Sequence, residues 1–221
     1  MHIADGFLPP IWCIFWYVLS IPCVVYGITK IKKITEEFDE AKSLLAVSGA
    51  YMFIISFIPI PSPSGGCSHL TGNGLNGSIF GVAITSTLAA IVLIFQLFLL
   101  GHGGITTLGA TIFAYGIVGP FVAWIIYNSI IKINFNSTIA IFFASFFGNL
   151  FTYITTSIQL GAAFPIPTFF DGFLKFLSLY IIVQLPLAII EGLVSVFIWK
   201  SLKKYKFKLL NKLNLFGKNE I

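Results

Sequence analysis

Arginine is absent from all 221 residues, and charge of either sign is scarce: 10% of the chain, against 57% hydrophobic residues. A soluble domain carries about 25% charged residues, so the composition excludes one and points to a single membrane-embedded domain over 1–221. The thirteen basic residues are all lysine, and seven fall between Lys200 and Lys218. That distribution makes the net charge of +5 a basic cytoplasmic tail over 200–221, and not a nucleic-acid surface. Three cysteines build no disulfide framework: Cys13 and Cys23 sit in the first apolar run as small buried hydrophobes, and Cys67 stands apart. The chain also lacks HExxH, a P-loop, GxSxG and carboxylates paired at hydrolase spacing, so no enzyme is expected. No lysine precedes position 30, whereas a secretory signal opens with positive charge. The first segment is therefore expected to be retained, with its N-terminus outside.

What is there is hydrocarbon. A spanning helix needs about 20 apolar residues, and runs of that kind cover 8–27, 44–60, 82–100, 105–131, 138–160 and 176–199. The stretch 68–81, SHLTGNGLNGSIFG, is too polar and short to face lipid. Charge decides whether it crosses. Six crossings would put the lysines of 30–42 and the lysine tail on opposite sides. With seven, Lys30, Lys32, Lys33, Lys42, Lys132 and the tail lie inside, and only Lys175 is left outside. An all-α polytopic fold of about seven transmembrane helices follows, one of them short and buried, with the N-terminus outside and the C-terminus cytoplasmic. Gly74, Gly77 and Gly81 would let neighbouring helices approach, and Asn73 and Asn76 need internal partners. Pro59, Pro61 and Pro63 are expected to stop the preceding helix, and 29–42 to form a solvated connector.

This topology gathers all three histidines, His2, His69 and His102, on the outer face. His2 is special. The Met1 amine, the His2 amide nitrogen and the imidazole Nδ1 can close adjoining five- and six-membered chelate rings in the outer strand 1–7. Imidazole suits cobalt, nickel, copper and zinc, and a deprotonated amide favours a tetragonal site. His69 is the candidate for the open corner, and His102 supports the loop. Asp5 is placed to cap the first helix or to hydrogen-bond an imidazole, capping being the simpler. Cys67, two residues before His69, is either a soft-metal ligand or a neighbour of the site. Glu191 is the only carboxylate expected inside the membrane, functional by default or paired with a lysine near the cytoplasmic end.

The start MHIADGFLPP resembles that of CbiM, the substrate-binding membrane component of cobalt energy-coupling factor transporters. GGCSHLTGNGLNGSIFG, LLGHGGITTLGATIFAYGIVGPFVA and QLPLAIIEGLVSVF resemble it further, in order, over most of 1–199, and TYITTSIQLGAAFP does so more loosely. The resemblance implies a metal site of Met1, His2 and His69 and cobalt(II) capture for cobalamin biosynthesis. It also implies a transmembrane coupling protein, two ATPase subunits and a small auxiliary membrane protein as partners, in the cell membrane. Thr111, Tyr115 and Asn149 stand where the family usually has asparagine, methionine and aspartate. None is an expected ligand, but at Thr111 a hydroxyl offers one donor where an amide offers two. Donor chemistry alone favours nickel(II) or copper(II); CSHLTGNGL and HGGITTLGA resemble the cobalt branch. A self-sufficient channel or carrier would want more ionisable residues along its path, and a metallohydrolase would want a general base.

Overall fold

The structure, a computed structural model, describes residues 1–62, 66–213 and 215. Pro63 and Lys218 lie outside the described residues. Helices dominate: α1 (Pro10–Glu37), α2 (Glu40–Ile55), α3 (Asn73–Leu100), α4 (Leu108–Ile112), α5 (Gly119–Lys132), α6 (Ser137–Ala163) and α7 (Phe169–Lys212). A π-helical stretch, Phe113–Val118, joins α4 to α5 without a break, so Leu108–Lys132 is one span. Five of the helices are long and apolar enough to cross a membrane, and the 16-residue α2 falls short of that length.

The fold is all-helical as expected, apart from one short antiparallel hairpin of β1 (Ile60–Ser62) and β2 (Gly66–Ser68), with Pro61 opposite Cys67. Proline is tolerated there because a two-stranded ladder is all edge. The helix before it ends at Ile55, well ahead of Pro59. The connector 29–42 is mostly helix, α1 running on to Glu37 and α2 starting at Glu40. The lysines around 30 lie on its last turns, where an exposed Lys32–Glu36 pair at 3.9 Å adds i,i+4 support.

The expected short buried helix is residues 73–80, the first part of α3. Eight residues rise about 12 Å, well under the ~30 Å of a hydrocarbon core. Successive neighbours give its course. Asn73 bonds the carbonyl of Tyr115. A Cβ at Gly77 would press Pro120 at 2.7 Å, and one at Gly81 would meet Trp124. The chain then returns, with Ser86 and Ala89 back against Gly116. The reversal sits at Gly81, whose φ of 74° and ψ of −178° only glycine adopts without strain. So α3 is a helical hairpin wedged among its neighbours. Gly74 meets Ser145 of α6 so closely that no side chain fits.

Two apolar clusters fill the interior. One, around Met1, Ile3, Trp16, Met52, Leu93 and Tyr153, underlies the N-terminal segment. The other, around Leu44, Tyr127, Ile141, Trp199 and Leu210, lies toward the lysine-rich end. Lys206 pairs with Glu40 at 3.7 Å, Lys212 lies over the Phe38 ring, and Lys203 reaches Ser137. The basic ends of α1, α5 and α7 therefore share one end of the molecule.

Candidate metal centre

The N-terminal segment is tied down along its length. Thr107 donates to the Ile3 carbonyl at 2.7 Å, and the Gly6 amide donates to Thr106. Asp5 accepts from the Thr106 amide at 2.9 Å and from its hydroxyl. Those bonds, the hydroxyl first, hold the Asp5 carboxyl below its ordinary value. Asp5 thus neither caps α1, where Pro9 occupies the cap position, nor meets an imidazole. It clamps the strand to the loop 101–107, close enough that Gly104 has no room for a Cβ. Met1, His2 and Ile3 are buried as a result.

The tautomers of the two histidines can be read from their partners. Ser56 donates its hydroxyl to the Met52 carbonyl and so accepts from Gln96 Nε2 at 2.6 Å. That turns Gln96 Oε1 to His2, 2.9 Å from Nε2, which must carry the proton. His2 Nδ1 is left with a bare lone pair. His69 Nδ1 lies 2.6 Å from the Leu70 carbonyl and is the protonated nitrogen there, leaving Nε2 bare. The two bare nitrogens face each other at 3.0 Å. Two lone pairs at that distance repel unless a cation lies between or beside them. Cys67 Sγ is 3.3 Å from His2 Nδ1, and donor atoms of His2, Cys67 and His69 all lie within 4.8 Å of one another. The Met1 amine donates to the Cys67 carbonyl.

Burial holds protons off this cluster. Desolvation lowers the Met1 amine to about 6, and, joined by the neighbouring Met1 charge, lowers His2 to about 3. His69 and His102 are lowered by burial too. Burial pushes the Cys67 thiol up, but the Met1 ammonium and the His69 hydrogen bond outweigh it and leave the thiol below its ordinary value.

His102 stands over the pair, its ring 5.8 Å from that of His2, and its Nδ1 finds no hydrogen-bond partner among the described residues. Thr111 is not at the cluster: its hydroxyl turns back to the Thr107 carbonyl within its own helix. Among the described residues, Glu191 meets no lysine. It accepts from the Thr71 and Gly72 amides, the Thr71 hydroxyl and Asn149 Nδ2, at 2.5–2.9 Å. It therefore anchors the loop that carries His69. Tyr153 accepts from the His69 amide at 2.8 Å, and Gln184 donates to the His69 carbonyl. Gln96, Ser56, Tyr153 and Gln184 were not singled out in the sequence. The signal available was polarity inside apolar runs, where polar side chains must find internal partners.

Comparison with known proteins follows the same lines. A family model described as CbiM, cobalt uptake substrate-specific transmembrane region, matches residues 2–209. The CbiM protein of Methanocaldococcus jannaschii is 52% identical over 221 residues, covering 100% of this chain and 95% of the relative. The cobalt transport protein CbiM of Thermosipho melanesiensis is 50% identical over 218 residues, covering 98% and 90%. A crystal structure of a truncated transition metal transporter shares the fold, with a TM-score of 0.82 at 22% identity over 93% of this chain and 99% of that one.

Proposed function

The chain belongs to the CbiM family, a multi-pass membrane component of cobalt uptake and not an enzyme, and from that premise we propose that it captures cobalt(II) at its N-terminal end. The donors are the Met1 amine, the His2 amide nitrogen and Nδ1, and His69 Nε2. One observation carries this reading: two imidazoles whose other nitrogens are committed elsewhere turn bare lone pairs on each other at 3.0 Å. The nitrogen that Gln96 leaves bare on His2 is Nδ1, the one a chelate through the amine and amide requires. Glu191, Tyr153 and Gln184 hold the backbone on either side of His69, and the Asp5–Thr106 clamp holds the other half. His102 and the loop 101–107 close over the site from above, and Thr111 supports that loop's helix through Thr107.

The transport step in this proposal is driven from outside the chain. A transmembrane coupling protein and two ATPase subunits, with a small auxiliary membrane protein, supply ATP-driven import, and the cobalt serves cobalamin biosynthesis. The N-terminus faces outside and the lysine-rich end the cytoplasm. Counting both limbs of α3 and the short α2 gives the seven segments this orientation needs. Nickel(II) is the second reading, favoured by the deprotonated amide and the nitrogen set. The site also argues against a self-sufficient carrier, because Glu191 is spent on the loop and no other described carboxylate is buried.

The deciding experiment is metal content of protein purified with a native Met1 and with one extra residue ahead of it. The native form is expected to hold one cobalt per chain, and the extended form and His69→Ala to lose it. Equal cobalt in native and extended protein would overturn the chelate.

A further inference from the structure

Cys67 Sγ and His69 Nε2 flank the same atom, His2 Nδ1, at 3.3 and 3.0 Å. Donors sharing one ion keep separations set by their bond lengths. With metal–nitrogen near 2.05 Å and metal–sulfur near 2.3 Å, these separations subtend about 94° and about 99° at a common ion. Both are angles of adjacent positions on a square-based polyhedron, distinct from the roughly 109° of a tetrahedral site. The sulfur does not arrive there by a loose loop. Cys67 pairs with Pro61 in the hairpin, and its carbonyl receives both the Met1 amine and the Tyr153 hydroxyl.

We propose that Cys67 is itself a ligand of the transported ion, a sulfur donor added to the nitrogens of the capture site. The proposal rests on the reading of that site given above. When the divalent ion binds, Sγ bonds the metal as thiolate, any proton it still carries passing to solvent, and His2 Nδ1 gives its lone pair to the same ion. No electron is transferred. Four nitrogens alone favour the planar geometry of nickel(II) and copper(II). A fifth donor removes that preference and adds a soft ligand, so Cys67 acts on the choice of metal as well as on affinity.

The test uses the full chain with native Met1, loaded with cobalt(II) anaerobically under a reductant that contains no thiol. A bound thiolate gives a sulfur-to-cobalt charge-transfer band in the near ultraviolet. Wild type is expected to show it, and Cys67→Ser and Cys67→Ala to lose it while still binding one cobalt. Their affinity should fall by about tenfold or more, the least that even a partner outside the ligand set costs. Their preference should shift toward nickel. Serine keeps the side-chain volume and alanine removes the donor, so agreement between them excludes a packing effect. A wild-type spectrum without the band, or a band unchanged in both variants, overturns the proposal. An N-terminally extended chain separates the two readings. If it retains cobalt with the band, the amine–amide set falls and the sulfur ligand stands.

Discussion

Burial holds protons off the terminal amine and the imidazoles of His2 and His69, and this sets how capture is expected to respond to acid. Exposed, the terminal amine would hold its proton to about 7.7–8.0 and the imidazoles to about 6.5. In the folded chain the amine falls to about 6 and His2 to about 3. A proton competes with metal only below the pKa of its group in the metal-free chain, so the amine competes below about 6 and His2 hardly at all. The His2 amide must lose its proton at every pH, and metal binding releases it. The expected log affinity for cobalt therefore rises about one unit per pH unit above pH 7 and more steeply below about 6, where the amine, and with it the thiol, begins to compete. Chelator competition from about pH 5 to about pH 8 measures this. Steepening that begins near 8 would mean that the amine is solvated, and that the Asp5–Thr106 clamp does not bury it.

At the scale of elements, the loop 69–72 is held by a carboxylate from a different helix. Glu191 satisfies two backbone amides and an asparagine where water is excluded, and removing it leaves those donors unpaired. Each buried unpaired donor costs about 1–3 kcal/mol. Glu191→Ala is expected to destabilise the protein by at least about 3 kcal/mol and to weaken cobalt binding, because His69 loses its anchor one peptide away. Glu191→Gln should fall between, since its carbonyl still accepts while its amide nitrogen meets another donor. Thermal unfolding in detergent with and without cobalt checks both. An alanine variant that binds cobalt like wild type would mean that His69 is held by Tyr153 and Gln184 alone. This is also where the sequence was least legible. Hydropathy located α1, α6 and α7, and Met1 and His2 were readable as a candidate chelate because that chemistry is local to the two residues. The partner of Glu191 was not. Carboxylate and loop lie about 120 positions apart, and nothing in either stretch encodes the contact. The turn of α3 at Gly81 was half legible: its glycines marked close approach, but a reversal needs a positive φ that composition does not disclose. The hairpin at 60–68 was hidden by Pro61, which reads as a breaker until its edge position is known.

Across the whole molecule, the two ends are chemically unlike. One gathers Met1, His2, His69, His102 and Cys67, with Lys175 the one lysine on the near part of α7. The other holds the remaining described lysines, tied together through Lys206 with Glu40, Lys212 over Phe38 and Lys203 with Ser137. A membrane sorts such a molecule by charge, because lysine is retained on the cytoplasmic side. The histidine end is therefore expected outside, where an importer must meet its ion. Single cysteines test the orientation after Cys13, Cys23 and Cys67 are replaced. Ser64 lies outside the described residues, so the better outer probe is Ile105, exposed on the loop that covers His2. Phe135, exposed in the turn between α5 and α6, serves for the opposite end. An impermeant maleimide should label a cysteine at 105 on intact cells, and one at 135 only after permeabilisation. Labelling of both from the same side would contradict the separation of the two ends across the bilayer. The reverse pattern would keep the fold but turn the site toward the cytoplasm, where it could not capture a metal for import.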